Sequence, residues 1–166
     1  MIRLATEKDY EKIVEITNEV ILNSNAIYRE VPHTYESRIP FFLEKKEKNI
    51  PIYVYEIEGN VVGFITYGSF RDNPGYRYTV EHSLHVDKNH RGQGIGKKLL
   101  KALISDLTGS EYRLIIGVID AQNRVSRKLH ESLGFKLSGQ IEHVAMKHGE
   151  WLDVCFYTYD LKENKR

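Results

Sequence analysis

The stretch 78–100, YTVEHSLHVDKNHRGQGIGKKLL, decides the fold. Alternation over 76–86 predicts a strand ending at Val86, followed by a polar loop. A helix then opens inside Arg91-Gly92-Gln93-Gly94-Ile95-Gly96. It is expected over 94–107, because Ile95, Leu99, Leu100, Leu103 and Leu107 recur on one side. Strand, glycine-rich turn and helix in that order make an anion site. Glycines let the backbone approach a phosphate, successive N–H groups point at it, and the helix N-terminus adds partial positive charge. Lys97 and Lys98 supplement it from the first turn. The segment lacks both the G-x-x-x-x-G-K-[ST] spacing of a P-loop and the G-x-G-x-x-G dinucleotide fingerprint. On these residues alone, a glycine-rich helix start without a ligand stays an open reading.

Working outward, Ile2 and Leu4 suggest a short first strand, and Thr6 with Asp9 gives a capping-box-like start to a helix reaching about Asn23. A loop over 23–33 leads to a second helix, expected near Ser37 because Pro40 is tolerated in a first turn, and ending around Asn49. The charged run 44–48 reads as a solvated helix end. Runs of β-branched and aromatic residues at 52–57 and 61–67 flank Glu58-Gly59-Asn60, a hairpin signal. After the central strand and helix come a strand at 114–119, a helix at 122–133 closed by Gly134, and two strands at about 135–146 and 151–159 around His148-Gly149-Glu150. The expected order is β-α-α-β-β-β-α-β-α-β-β, a mixed α/β domain with one sheet flanked by helices.

The chain has 166 residues, one domain's length, and its 24 basic against 23 acidic residues leave a formal charge of +1. That balance carries no signature of nucleic acid or membrane partners. Residues 162–166 are expected to form a frayed tail. The single cysteine, Cys155, forms no internal disulfide and reads as a small core residue. No secretory h-region or membrane-length apolar stretch is present, so a cytoplasmic protein is expected. Seven histidines without H-x-x-x-H spacing give no expectation of a metal.

Arg91-x-x-Gly94-x-Gly96, after a strand and before an amphipathic helix, resembles the acetyl-CoA motif of the GNAT superfamily of N-acetyltransferases. Asn123, Ser126 and His130, followed by Leu133-Gly134-Phe135, resemble that family's next helix. The resemblance covers nearly the whole chain and implies a mostly antiparallel central sheet flanked by helices. Segments AIYREVPHT (26–34), RYTVEHS (77–83) and KHGEWLDV (147–154) are similar to the phosphinothricin and methionine sulfone/sulfoximine acetyltransferase branch. Val31 stands where relatives often carry an acid before the proline, and His85 where a tyrosine is common; both departures bear on substrate rather than reaction.

Acetyl transfer to an amine requires a neutral amine, a polarised thioester carbonyl and a proton for the leaving thiolate. Glu81, just before the phosphate turn, is placed to act as general base, and the resemblance points to the same residue. His130 stands where many relatives carry a tyrosine acting as general acid; a structural or substrate-facing histidine is the competing reading. The resemblance implies that the backbone of Leu84, His85 and Val86 pairs with the pantetheine arm of acetyl-CoA. Arg91, Gly92, Gln93, Gly94, Ile95 and Gly96 would hold its phosphates, with Asn123 and Ser126 on the arm. Tyr28, Arg29, Arg71, Arg77, Tyr78 and His148 are candidates for binding a small amino-acid-like substrate, since a carboxylate favours arginine partners. Trp151 reads as packing or dimer contact, and a homodimer is expected from the resemblance. The alternatives are an acetyltransferase for a protein N-terminus, a polyamine or an aminoglycoside, and a non-catalytic acyl-CoA sensor.

Overall fold

Period and punctuation in the sequence carry through to a computed structural model of the protein, which describes residues 1–163. Strand β1 (Ile2–Leu4) leads to α1 (Tyr10–Asn23), whose start is held by Thr6 N–H donating to Asp9 Oδ2 at 2.7 Å. Arg3 binds both oxygens of the same carboxylate at 2.8 and 3.0 Å and holds it down to about 2. Helix α2 (Tyr35–Glu47) begins two residues earlier than expected, because Thr34 accepts from Ser37 N at 3.1 Å and caps it. Pro40 therefore lies in the second turn, where it is exposed and withdraws one helical donor. The charged run 44–48 is only partly solvated: Lys45 is turned inward and buried.

Strands β2 (Tyr53–Ile57) and β3 (Asn60–Ser69) form a hairpin whose two turn residues, Glu58 and Gly59, have φ of 49° and 80°. The central strand β4 (Thr79–Val86) starts three residues later than predicted, because Asn73 caps a turn of 3-10 helix at Pro74–Tyr76. Then come α3 (Ile95–Leu107), β5 (Leu114–Asp120), α4 (Arg124–Ser132), β6 (Lys136–Lys147) and β7 (Glu150–Asp160). Lys162 and Glu163, expected to fray, turn back so that both backbone N–H groups reach Asp160 Oδ1; 164–166 lie outside the described residues.

The sheet runs β1-β2-β3-β4-β5-β7-β6, antiparallel everywhere except between β4 and β5. One face packs α1 and α2 through Ile13, Ile16, Phe42, Val54 and Phe64; the other packs α3 through Leu99, Leu100 and Leu103. Cys155 is buried in the second core, as the sequence suggested. The parallel pair holds only over 79–81 against 114–116, after which β4 pairs with β3 alone and β5 with β7 alone. The two strands part there, and the site is built at the fork. Removing part of the core that backs it should be costly: Leu100 is fully enclosed, so Leu100→Ala is expected to lower unfolding free energy by about 2–5 kcal/mol, read from urea midpoints.

Candidate functional site

The turn after β4 gives its glycines distinct reasons to exist. Gly92 and Gly94 sit at φ of 78° and 76°, a left-handed region costly for other residues, and swing the chain into α3. Gly96 matters for packing instead, since a Cβ there would come within 3.2 Å of Leu129 on α4, and its absence lets the helices approach. Ile95 sends its side chain into the core and offers the site only its backbone. Gln93, Lys97 and Lys98 are exposed around the helix start. The Arg91 side chain turns away, pairing with Glu19 at 2.6 Å and donating to the Val86 carbonyl, so it braces the turn against α1.

Beyond residue 81, alternate peptide groups of β4 face away from β3 and have no strand opposite them. This open edge, ending at the α3 N-terminus, fits an extended arm that terminates in phosphates. Leu84, His85 and Val86 lie along it. His85 packs its ring against Phe64, and burial beside Arg91 and Arg38 pushes its imidazole down to about 4. Asn123 caps α4, its Oδ1 accepting from Ser126 N at 3.1 Å.

Glu81 occupies the last paired position before the fork, on the α1/α2 face. Burial pushes its carboxyl above the ordinary range, while Arg71 acts in the opposite direction. His82, on the opposite face as strand alternation requires, stacks on His130 with ring centroids 5.0 Å apart. Their Nε2 atoms lie 2.8 Å apart, and His130 Nδ1 lies 2.7 Å from the Ser126 carbonyl. That carbonyl only accepts, so His130 carries its proton on Nδ1 and, when neutral, accepts from His82 Nε2–H. Burial pushes both imidazoles down and favours this neutral arrangement. His82 Nδ1 is then a buried acceptor without a partner among the described residues. The pair leaves His130 without a free nitrogen for a leaving group, which removes the geometric basis for reading it as a general acid.

The candidate substrate residues divide. The Tyr28 hydroxyl lies 2.7 Å from Asp120 Oδ1 and 2.8 Å from the Asp153 carbonyl, and burial pushes its pKa up, so it latches the 24–34 loop to the end of β5. Arg29, Arg71 and Arg77 are exposed and donate to nearby backbone carbonyls; Tyr78, exposed, lies under Arg77. His148 lies at the β6–β7 turn, where its N–H donates to Glu30. Three contributors went unread in the sequence. Lys147, the first residue of the 147–154 segment, donates its buried ammonium to the carbonyls of Ile21, Ser24 and Ile27 and fastens the loop. Arg38 and Lys45 on α2 face the Glu81 side of the sheet; the mixed charge of their neighbourhood hid them. Among the described residues, no three His, Cys, Asp or Glu side chains gather as a metal site.

Comparison with known proteins agrees with this fold. The chain matches the acetyltransferase (GNAT) family over residues 14–135. It is 36% identical to an L-methionine sulfoximine/L-methionine sulfone acetyltransferase of Salmonella typhimurium, covering 98% of this chain and 95% of that one. The crystal structure of an N-acetyltransferase from Staphylococcus aureus superposes with a TM-score of 0.95 at 43% identity, covering 97% of this chain and 98% of that one. A phosphinothricin acetyltransferase from Sinorhizobium meliloti in complex with acetyl-CoA gives 0.94 at 35% identity, covering 99% and 90%. The chain belongs to the GNAT family of acetyltransferases. It is an acetyl-CoA-dependent N-acetyltransferase, similar along its length to the methionine sulfoximine and phosphinothricin enzymes.

The fork depends on Gly117 of β5, where a Cβ would lie 3.0 Å from His130 Nε2 and 3.1 Å from His82 Nε2. Gly117→Ala is expected to force the rings apart and cost about 1–3 kcal/mol, measured by thermal unfolding.

Proposed function

We propose that the protein acetylates the α-amino group of a small amino acid of the methionine sulfoximine, methionine sulfone or phosphinothricin type, with Glu81 as general base. The observation that carries this reading is the place of Glu81: a half-buried carboxyl at the last β4–β5 pair, beside an open strand edge that leads to the α3 N-terminus. Acetyl-CoA supplies the activated acetyl group. The protein's own residues align and deprotonate. The backbone of 84–86 lines the open edge, and the turn at Gly92 and Gly94 presents N–H groups to phosphate. Asn123 and Ser126, at the start of α4, are assigned to the arm of the cofactor.

Glu81 takes the ammonium proton, directly or through a water, and frees the nitrogen lone pair for attack. Its raised pKa brings it closer to neutrality as a proton acceptor. Cys155 is enclosed in the core, in keeping with direct attack by the amine rather than a covalent enzyme intermediate. The His82–His130 pair keeps the fork at its width. Arginines around the rim disfavour polycations, which weighs against a polyamine or aminoglycoside substrate.

Thiol release from acetyl-CoA should be efficient with phosphinothricin, methionine sulfoximine and methionine sulfone, and weak with a polyamine or an N-terminal peptide. Glu81→Gln should lower turnover by about 10²–10⁴-fold. A residual rate within a few-fold of wild type would remove Glu81 from the base role. The wild-type rate should rise along an acid limb lying above the ordinary carboxylate range. Because burial raises the Glu81 pKa, its stabilising contribution is present at low pH and is lost as pH rises through the folded value. At pH 7 the Gln variant should therefore melt no lower than wild type.

The protein is further proposed to form a homodimer, supported by the exposed Leu137, Ile141, Val144 and Met146 on edge strand β6, with Trp151 on β7 alongside. Sedimentation at micromolar concentration should give twice the mass of 19.4 kDa; a monomer would refute the assembly.

A further inference from the structure

Helix α2 carries an arrangement that neither packing nor ion pairing explains. Arg38, Phe41 and Lys45 recur at helical spacing and share one face. The Arg38 Cζ lies 3.8 Å from the centre of the Phe41 ring, and the Lys45 ammonium lies 5.1 Å from the same centre. Two cations thus gather on one aromatic ring, and neither forms a salt bridge among the described residues. Glu44, next to Lys45, is instead paired with Lys48 at 2.6 Å. Lys45 is 7% exposed, and its hydrogen bond goes to the Tyr67 carbonyl. A nearly enclosed ammonium without a counter-charge is costly to maintain. The residue is a poor choice for packing alone, since an apolar side chain of similar length would fill the volume without that cost.

Its position supplies a reason. A Cβ at Gly68 would come 3.3 Å from the Lys45 ammonium, so the cation occupies the space that a side chain at 68 would take. Gly68 is the cross-strand partner of Glu81, and directly opposed residues project to the same face of a sheet. The ammonium therefore approaches the sheet at β3, on the same face as the Glu81 side chain of the neighbouring strand. Arg38 extends the positive field along that face, bearing on His85 from α2 while Arg29 and His33 face it from the loop. Of the exposed rim arginines, Arg77 donates to its own segment, while Arg71 donates to the Phe70 carbonyl and also bears on Glu81.

We propose that Lys45 and Arg38, arranged on Phe41, form the subsite that receives the α-carboxylate of the substrate. This deepens the amino-acid reading above and rests on it. Amine and carboxylate of an α-amino acid are bonded to one carbon, so a base on β4 and a cation against the neighbouring β3 position can hold both at once. The carboxylate supplies the counter-charge that the buried ammonium lacks, and the planar guanidinium of Arg38 offers it paired donors. Selection is thereby made on the group that every amino acid shares, and the remainder of the pocket reads the side chain.

The test compares L-methionine sulfone with its carboxamide, in which the amine is kept and the negative charge removed, by steady-state thiol release. Wild type should prefer the acid by at least ten-fold in kcat/KM. Arg38→Met and Lys45→Met should raise KM for the acid about 10- to 100-fold while leaving KM for the carboxamide and for acetyl-CoA near wild type, so that the preference collapses. Lys45→Arg should restore part of it. Variants that retain the wild-type preference for the acid overturn the subsite and leave the amino-acid reading standing. Turnover of neither compound by the wild-type protein overturns both. Should Lys45→Met fail to fold, Arg38→Met, at a half-buried position, decides alone.

Discussion

The short parallel contact between β4 and β5 is the constraint on which the rest depends. Two strands that enter side by side and then separate leave peptide groups unpaired at the centre of a sheet, a place where such groups are normally satisfied. The separation is propped from one side by the paired imidazoles of His82 and His130, packed against Gly117. Glu81 stands at the branch point, which gives it partial burial without complete enclosure. The raised carboxyl pKa and the adjacent open edge both follow from where the pairing stops.

Much of this was legible in the sequence. Every strand and helix was expected in order, because apolar periodicity switches cleanly between two and three-to-four residues and glycines mark the turns. Errors fell at the starts of α2 and β4, where polar caps, Thr34 and Asn73, set the boundary rather than the hydrophobic pattern. The glycine-rich turn before α3 was readable because its conformation demands glycine. Glu81 stood out because it lies in the strand just before that turn, and the structure places it at the last β4–β5 pair.

What escaped notice has a common character. The meeting of His82 with His130 is long-range, and no local pattern reveals that two histidines will share one hydrogen bond. Tyr28 was named as a substrate candidate, and only the folded chain shows its hydroxyl bonded to Asp120 and to the Asp153 carbonyl. Lys45 lay within a run of alternating charge, where one residue turned inward is invisible to composition. Arg91 was read as part of the cofactor turn, and no local pattern announced that its side chain would pair with Glu19, far away in sequence. Pairings across the sheet decide these cases.

The ammonium of Lys147, bound to three carbonyls at the end of α1, also says something about how the chain matures. Strand β7, which follows that lysine, is the one that lies between β5 and β6. During synthesis the first helix, the loop after it and the first five strands are all made before their fastening exists. A nascent chain lacking only its final hairpin would therefore have the Tyr28–Asp120 contact for its loop but not the three-carbonyl clamp of Lys147. The full fastening of that loop would arrive last, with the closing of a contact between distant parts of the polypeptide.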